Sequence, residues 1–278
     1  MSEGLPPVAE ARIAGLRSSG TWGSTLTADE FAAIRGVGFE PVGQVFGAAV
    51  YSAGPDSRYT CPGSFGPLVQ TMDLARQTAV GRMVTECAEL GGHGVVGARV
   101  TRGSFPLGGP QFMVIGTAVR ARGAGPGPPV PFTAELSGQD FAKLMMAGWV
   151  PAGLVLGISI RSRHDDRTTT RQARWTSGNA EMTGWTELVS QSRQDARRQL
   201  ESDVQRLGAD GVVIAAMEMR VRERDCPETV GRHDHVVEAT LIGTAIARSA
   251  GAGPPHDRPA RAVMSLDPER RQAARIRI

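Results

Sequence analysis

One stretch of this sequence occurs twice. Residues 26–50 (LTADEFAAIRGVGFEPVGQVFGAAV) match residues 136–160 (LSGQDFAKLMMAGWVPAGLVLGISI) without a gap, at a constant offset of 110 positions. Two later stretches recur in the same order, because LGGHGVV at 90–96 matches LGADGVV at 207–213, and IGTAV at 115–119 matches IGTAI at 242–246. A tandem duplication of one folding unit therefore constrains any fold that the 278 residues can adopt.

Each copy predicts a short helix, a strand, a long helix and a hairpin. In the first copy, Thr27 to Glu30 forms a capping-box pattern that starts the short helix. Apolar residues then recur every three or four positions between Leu68 and Leu90, which is typical of a long helix with one buried face. The strands are predicted at 41–51, 95–101 and 112–120, and the second copy repeats the order with a helix at 185–207 and strands at 151–161, 212–221 and 236–248.

The predicted units, repeat 1 and repeat 2, occupy residues 21–121 and 132–248. Residues 122–131 (RGAGPGPPVP) are rich in Pro and Gly and predict a linker between them. Residues 1–20 are predicted to be a flexible arm. Residues 249–278 are predicted to be a flexible tail, which either docks on a partner protein through its amphipathic end at 263–278 or has no binding role.

The element order predicts an α+β fold whose sheets need partners. A strand–helix–strand crossover makes the first two strands of each unit parallel, and the hairpin brings the third strand back antiparallel. One long helix covers only one face of the resulting three-stranded sheet. Because a Val/Ile-rich face does not stay in water, we expect the chain to oligomerise through its sheets.

The stretch ARQTAVGRMVTECAELGGHGVVGARV at 75–100, with the strand that ends in IGTAV, resembles the YbjQ-like family, which is described as heavy-metal-binding. Repeat 2 keeps Arg193, Ala196, Leu200 and the LGADGVV stretch, but it has Ile214 where repeat 1 has a glycine, which puts tight packing there in doubt. The resemblance implies a dodecin-like β-α-β-β unit. It also implies assembly into rings, typically pentamers, in which the strands form a barrel.

The charge and cysteine content restrict the partners and the compartment. The net charge is +3, but the basic residues are scattered among acidic ones, so no nucleic-acid-binding stripe is predicted. Neither a signal-peptide pattern nor a long apolar run is present, which argues against a membrane segment. The 3 cysteines are an odd number without the spacing of a disulfide framework, which favours a reducing, cytoplasmic location.

Two loops of repeat 2 carry the candidate metal ligands. The first strand should end where the hairpin turns, so the two loops are predicted to lie close together. Imidazole, thiolate and carboxylate groups form sites for zinc or a similar divalent ion. The alternative is two solvated loops that bind no metal, since the sequence contains no CxxC pair. The predicted ligands are His164, Asp165, Asp166, Cys226, His233 and His235.

The function predicted first is that of a non-enzymatic, ring- or shell-forming homo-oligomer, with a pentamer favoured by the family resemblance. The alternative is a module that binds a small ligand or a heavy metal through the loops of repeat 2. No nucleophile motif such as G-x-S-x-G and no phosphate loop occurs, so no catalytic residue is proposed.

Overall fold

The computed structural model describes residues 5–52, 65–104, 109–125, 127–128, 130–173, 178–226 and 233–249. The fold is of the predicted α+β class. In chain order the elements are α1 (Pro7–Ser19), α2 (Ala28–Gly36), β1 (Phe39–Val50), α3 (Gly66–Glu89), β2 (Gly94–Ser104), β3 (Pro110–Ala121), β4 (Phe132–Thr133), α4 (Gly138–Met146), β5 (Trp149–His164), α5 (Arg167–Gln172), α6 (Thr183–Arg206), β6 (Gly211–Asp225) and β7 (His233–Arg248).

The two short helices begin at side-chain caps, as the sequence predicts. Thr27 Oγ1 accepts a hydrogen bond from the backbone N–H of Glu30 at 3.3 Å, and the Glu30 carboxylate accepts one from the backbone N–H of Thr27 at 2.8 Å. In repeat 2, Ser137 Oγ accepts from the N–H of Asp140 at 3.1 Å. These bonds satisfy donors that the first helical turn leaves free, so local sequence fixes the start of both helices.

The third strand of each repeat lies in the middle of its sheet. The strand orders are β1-β3-β2-β4 and β5-β7-β6. Since β3 is antiparallel to both β1 and β2, the first two strands of the repeat are parallel, as predicted, and repeat 2 follows the same pattern. Repeat 1 has gained a fourth strand, because β4 from the start of repeat 2 pairs parallel with β2. The prediction of three strands per sheet is therefore wrong for repeat 1.

Each long helix packs on one face of its own sheet, and one glycine sets the distance. A Cβ atom at Gly47 in β1 would collide with the carbonyl oxygen of Ala79 in α3. At the equivalent Gly157 in β5, a Cβ atom would collide with the carbonyl oxygen of Ala196 in α6. Glycine in a strand commonly marks such a close approach of another backbone. The duplication thus extends from the sequence to the helix–sheet packing.

Residues 7–19 form the helix α1, so the predicted flexible arm over residues 1–20 is wrong for this segment. Pro7 stands at the first helical position, which a residue without an N–H tolerates. Ile13 is buried, and Arg12 forms an ion pair with Glu86 of α3. The helix is held by these few contacts rather than by a continuous apolar face, which is why periodicity does not reveal it.

Repeat 2 is longer than repeat 1 at one end. Strands β5 and β7 each have 16 residues, whereas their counterparts β1 and β3 have 12. Strand β6 has 15 residues and its counterpart β2 has 11. The short helix α5 also lies here, within a segment that the sequence predicts to be loop. Asp166 begins α5 by accepting a hydrogen bond from the N–H of Thr169 at 2.7 Å.

The segments outside the two repeats are described only in part. Those residues of the predicted linker 122–131 that the structure describes contain neither helix nor strand. The predicted docking segment at 263–278 lies outside the described residues. In the described part of the chain, no helix has the length and apolarity needed to span a membrane.

Candidate functional site

The start of repeat 2 adds a strand to the sheet of repeat 1. The backbone N–H of Ala134 donates a hydrogen bond to the carbonyl oxygen of Val95 at 2.8 Å, and the N–H of Ala98 donates to the carbonyl oxygen of Ala134 at 2.9 Å. The N–H of Gly97 donates in the same way to Leu136 at 3.0 Å. Residues 132–136 therefore cover the outer edge of β2 over its first residues, up to Ala98.

The same segment also binds its own repeat. The backbone N–H of Leu154 donates to Thr133 Oγ1 at 2.8 Å, and the N–H of Glu135 donates to Thr244 Oγ1 at 3.0 Å. Thr133 and Thr244 are both buried. Residues 132–136 thus join the two sheets, with backbone bonds to repeat 1 and side-chain bonds to repeat 2.

An apolar contact between the repeats covers the sheet face of repeat 2 that α6 leaves free. Leu156 and Ile158 of β5 are buried in the same core cluster as Met83 of α3 and Val114 of β3. Ile160 and Ile242 pack against this cluster as well. Repeat 1 therefore covers one of the two open sheet faces in the chain, as the sequence analysis expects of a sister unit.

Two ion pairs cross the same interface. Arg102 of β2 pairs with Glu238 of β7, and Arg76 of α3 pairs with Asp203 of α6 at 3.2 Å. All four side chains are largely buried. Losing one partner of a buried pair leaves an uncompensated charge, so these pairs fix the orientation of the repeats more than they add stability.

The counterpart of the joining segment is exposed in repeat 1. Residues 22–26 correspond to residues 132–136, and the N–H of Thr25 donates to Thr117 Oγ1 at 3.0 Å, as Glu135 does to Thr244. Residues 131–134 are largely buried, whereas residues 21–24 are exposed. Within the described residues, the segment 22–26 pairs with no strand, although it is anchored to its own repeat in the same way.

The counterpart of the covered edge is exposed in repeat 2. Strand β6 corresponds to β2, and no strand pairs with its outer edge in the part of the chain that the structure describes. The exposed fractions of Ile214, Met217 and Val221 along β6 are 52%, 44% and 59%. Large apolar side chains on an unpaired edge strand are typical of a surface that binds another chain.

The sheet face of repeat 1 that α3 leaves free is also exposed, whereas the corresponding face of repeat 2 is covered. Phe46 of β1 corresponds to the buried Leu156 of β5, and Val50 corresponds to Ile160. The exposed fractions of Phe46 and Val50 are 40% and 47%. The interface between the repeats is thus formed by two different surfaces. Repeat 1 contributes the edge of β2, and repeat 2 contributes residues 132–136 and the open face of β5. The equivalent surfaces, which are the edge of β6 and residues 22–26 with the open face of β1, are both exposed on the same chain.

The predicted metal ligands converge only in part, at the extended end of repeat 2. His164 is paired in register with Asp234 across β5 and β7, and the Nδ1 atom of His164 contacts the Asp234 carboxylate. Cys226 follows the end of β6. One ligand atom each of His164, Cys226 and Asp234 lies within 4.8 Å of the other two, and both Cys226 and Asp234 are buried.

The other predicted ligands lie apart from this cluster. His235 Nε2 is 3.1 Å from Asp165 Oδ1, and Trp185 Nε1 donates to the same carboxylate at 3.2 Å. Asp166 caps α5 and accepts from Arg163 at 2.8 Å, and these bonds, with that from Thr169 the largest, lower its pKa to about 2. The side chain of His233 is 52% exposed and is 3.2 Å from Asp225.

The comparisons with known proteins agree with the duplication. A family model described as "Putative heavy-metal-binding" matches twice, at residues 39–122 and 150–248. The chain belongs to the YbjQ family. The resemblance of residues 75–100 to this family is therefore confirmed, and both repeats are members of it. The matches begin in β1 and β5, so the segments 22–26 and 132–136 lie before the residues that the family model matches.

Two curated proteins are similar to this chain. The chain is 33% identical over 262 residues to the encapsulin nanocompartment protein Rv1762c of Mycobacterium tuberculosis, and the match covers 91% of this chain and 94% of that protein. It is 35% identical over 57 residues to a UPF0145 protein of Clostridium perfringens, which covers 20% of this chain and 54% of that protein. No solved structure matches the chain.

The predicted ligand set omits Asp234, which lies in the same loop, and contains its neighbours His233 and His235 instead. His233 and His235 are more familiar ligands, but they flank Asp234 in a strand and so point away from the face that carries it. The signal was present in the alternation of β7, because His164 and Asp234 share a face once β5 and β7 are paired. Fixing that register requires the structure, since a shift of one residue exchanges the two faces.

Proposed function

We propose that the chain is a non-enzymatic building block that assembles with further copies of itself into a ring or shell. The observation that supports this function is the repeat interface, whose two unlike sides both have exposed counterparts on the same chain. Contacts between unlike surfaces continue from copy to copy and form a ring when the rotation closes. Residues 22–26 and the open face of β1 in one copy then bind β6 of the next copy.

The equivalence of the repeats gives the expected pairing between copies. The N–H of Ser24 donates to the carbonyl oxygen of Val212 in the next copy, as Ala134 does to Val95 within the chain. The N–H of Ala215 donates back to the carbonyl oxygen of Ser24, as Ala98 does to Ala134. In this arrangement Trp22 lies beside Gly211, as Phe132 lies beside Gly94.

Burial of apolar side chains favours this pairing. Met217 corresponds to Val100 of β2, which packs on the core cluster that contains Leu156 and Ile158. Met217 is therefore expected to meet Phe46 and Val50 of the neighbouring copy, and Ile214 and Val221 lie on the same edge strand. Each fully buried side chain of this size contributes about 1.5–3 kcal/mol relative to its exposed state. The paired edges also exchange backbone hydrogen bonds, as at the β2–β4 contact.

The likeness to an encapsulin nanocompartment protein supports a structural role in a shell, because it spans both repeats. We place the protein in the cytoplasm, as the sequence predicts. For the assembly itself we favour a ring of five copies with a dodecin-like barrel of strands. Since each chain supplies two repeats, the number of repeats in such a ring is even. We further propose that the segment 263–278 is a docking peptide for a partner protein.

Solution mass and edge substitutions test the assembly. Analytical ultracentrifugation is expected to show a closed oligomer for the native chain, and the paired change Ile214→Glu with Met217→Glu is expected to give folded monomers. Leu74→Glu is the matched control, because Leu74 is 52% exposed on α3 and lies outside both proposed surfaces. A native chain that stays monomeric up to high concentration would contradict the proposal.

Removing residues 250–278 separates the role of the tail from that of the repeats. We expect this variant to assemble as the full chain does and to lose the partner protein. If the deletion instead abolishes assembly, the tail rather than a neighbouring sheet covers the exposed surfaces, and the proposed pairing of residues 22–26 with β6 is wrong.

A second candidate function, the binding of a small ligand or a heavy metal by the loops of repeat 2, is favoured by one observation. His164, Cys226 and Asp234 bring three different ligand types together at the end of the sheet. This cluster lies in the strand extension of repeat 2, and assembly through β6 and residues 22–26 does not require it.

A further inference from the structure

We propose that His164, Cys226 and Asp234 form a binding site for a zinc-like divalent metal ion, with one imidazole, one thiolate and one carboxylate as ligands. This inference rests on the second candidate function above and specifies its ligands and its metal. The ligand atoms all lie within 4.8 Å of one another. Around a tetrahedral zinc ion with bonds of about 2.0–2.3 Å, neighbouring ligand atoms are roughly 3.3–3.7 Å apart. Small side-chain adjustments therefore bring the three groups onto one ion.

The ligand set selects the class of metal. Thiolate and imidazole ligands suit zinc, copper and other borderline or soft ions, whereas magnesium and calcium prefer oxygen ligands alone. Three protein ligands leave a fourth tetrahedral position for water or another donor. The expected ion is therefore zinc or a metal of similar preference, and not an alkaline-earth ion.

The fold positions the ligands on independent strands. Pairing of His164 with Asp234 places both side chains on one face of the sheet. Cys226 directly follows Asp225, which is paired with His233, so the thiol lies at the same end of the sheet. Because each ligand comes from the end of a different strand, the backbone hydrogen bonds of the sheet hold the site in place.

The site lies in the part of repeat 2 that repeat 1 lacks. Strand β1 ends at Val50, which pairs with Gln111, whereas β5 continues to His164. The helix–sheet packing of repeat 1 is complete without this extension. The additional strand length in repeat 2 therefore serves something other than the common fold. It carries His164 and Asp234, and Cys226 directly follows it.

The burial of the Asp234 carboxylate favours a bound metal ion. The side chain of Asp234 has an exposed fraction of 0% and contacts His164. A buried carboxylate needs a positive partner or hydrogen bonds to remain charged. A divalent cation bound beside the Asp234 carboxylate supplies such a positive partner. On binding, the Cys226 thiol releases its proton to the solvent and its sulfur forms the bond to the metal.

Titration with zinc and cobalt(II) tests the site in the full chain. We expect one equivalent of zinc to bind per chain, and cobalt(II) to give a thiolate-to-metal charge-transfer band. Cys226→Ser should remove this band, and His164→Gln should weaken zinc binding at least tenfold. His233→Ala is the matched control, because His233 is adjacent to Asp234 but is 52% exposed, and it should bind as the native chain does.

The native protein supplies a test that does not depend on the folding of a variant. Zinc should protect Cys226 from alkylation, as measured by mass spectrometry of the peptide that contains it, and a chelator should restore the reaction. The proposal is overturned if zinc leaves the alkylation rate of Cys226 unchanged, if the charge-transfer band persists in Cys226→Ser, or if His233→Ala weakens binding as much as His164→Gln. Loss of assembly with intact zinc binding would contradict only the proposed function.

Discussion

The backbone N–H of Glu135 donates a hydrogen bond to Thr244 Oγ1 at 3.0 Å, on a threonine that is fully buried. The N–H of Thr25 makes the same bond to the buried Thr117, also at 3.0 Å. The two anchors are alike, but only the first segment is enclosed between two sheets. Each segment is therefore anchored to the sheet of its own repeat in the same way. Only the segment 132–136 is also covered by the sheet of the other repeat.

The two anchors are expected to respond differently to the same change. Thr244→Val leaves the N–H of Glu135 without its acceptor inside the repeat interface, so we expect a loss of about 1–3 kcal/mol in the free energy of unfolding. Thr117→Val should cost less in the isolated chain, because water reaches the exposed segment around Thr25. Denaturant unfolding of dilute protein measures both. Equal losses would show that the two segments are equally enclosed.

The helix α1 is expected to compete with a neighbouring copy. Asp203 of repeat 2 forms an ion pair with Arg76 of repeat 1 at the repeat interface. Glu86 is the residue of repeat 1 that corresponds to Asp203, and Arg193 is the residue of repeat 2 that corresponds to Arg76. Within the chain Glu86 pairs instead with Arg12, whereas Arg193 is exposed. By equivalence, Arg193 of the neighbouring copy is directed at the position that Arg12 occupies. We therefore expect deletion of residues 1–20 to lower the concentration at which half of the chains assemble, as measured by mass photometry.

Charge substitutions on α6 provide the matched comparison. Arg193→Ala should raise the concentration needed for assembly, because it removes the expected partner of Glu86. Arg197→Ala, one turn further along the same exposed face, should have little effect, since Arg197 pairs only with Glu201 on the surface. If deletion of residues 1–20 weakens assembly instead, α1 is part of the interface between copies and not its competitor.

The repeated elements were predictable because local sequence and burial favour the same structure. The caps at Thr27 and Ser137 and the periodic apolar positions of α3 and α6 fix those elements, and the structure confirms them. Helix α1 was not predictable because its position depends on Arg12 and Glu86, which are 74 residues apart. The pairing of strand β4 was not predicted for a similar reason, since its partner β2 belongs to the other repeat.

The sequence was sufficient to predict which loops lie together at the candidate metal site, but not which of their side chains converge. Strand direction alone brings the loop after His164 near the loop that contains Cys226. The choice between Asp234 and its histidine neighbours depends on the strand register, which the sequence does not determine. The sequence predicted in general that a sheet face and sheet edges need partners. The correspondence of the exposed β6 edge to the covered edge of β2 required the observed contact of residues 132–136.

Glycine at the helix–sheet contact is expected to be required in both repeats. Gly157→Ala places a Cβ atom against the carbonyl oxygen of Ala196, and this backbone atom cannot move without shifting α6. We expect a loss of about 1–3 kcal/mol in the free energy of unfolding, as for other overpacked cores. Gly103→Ala is the control, because its Cβ atom would meet only the end of Gln111 at 3.7 Å. Similar losses for the two variants would argue against the close approach.

The thiol of Cys87 is expected to make the stability of the protein fall at alkaline pH. Burial is the main cause that raises its pKa from 9.0 to about 12, although a backbone hydrogen bond at Gly94 acts in the opposite direction. Between these two values the unfolded chain has lost this proton and the folded chain has kept it. The free energy of unfolding should therefore decrease by up to about 1.4 kcal/mol per pH unit from this group as the pH rises above 9. Cys87→Ala lacks the titrating thiol, so denaturant unfolding at several pH values above 8 should show a smaller decline for the variant, whereas parallel curves would show that Cys87 ionises equally in both states.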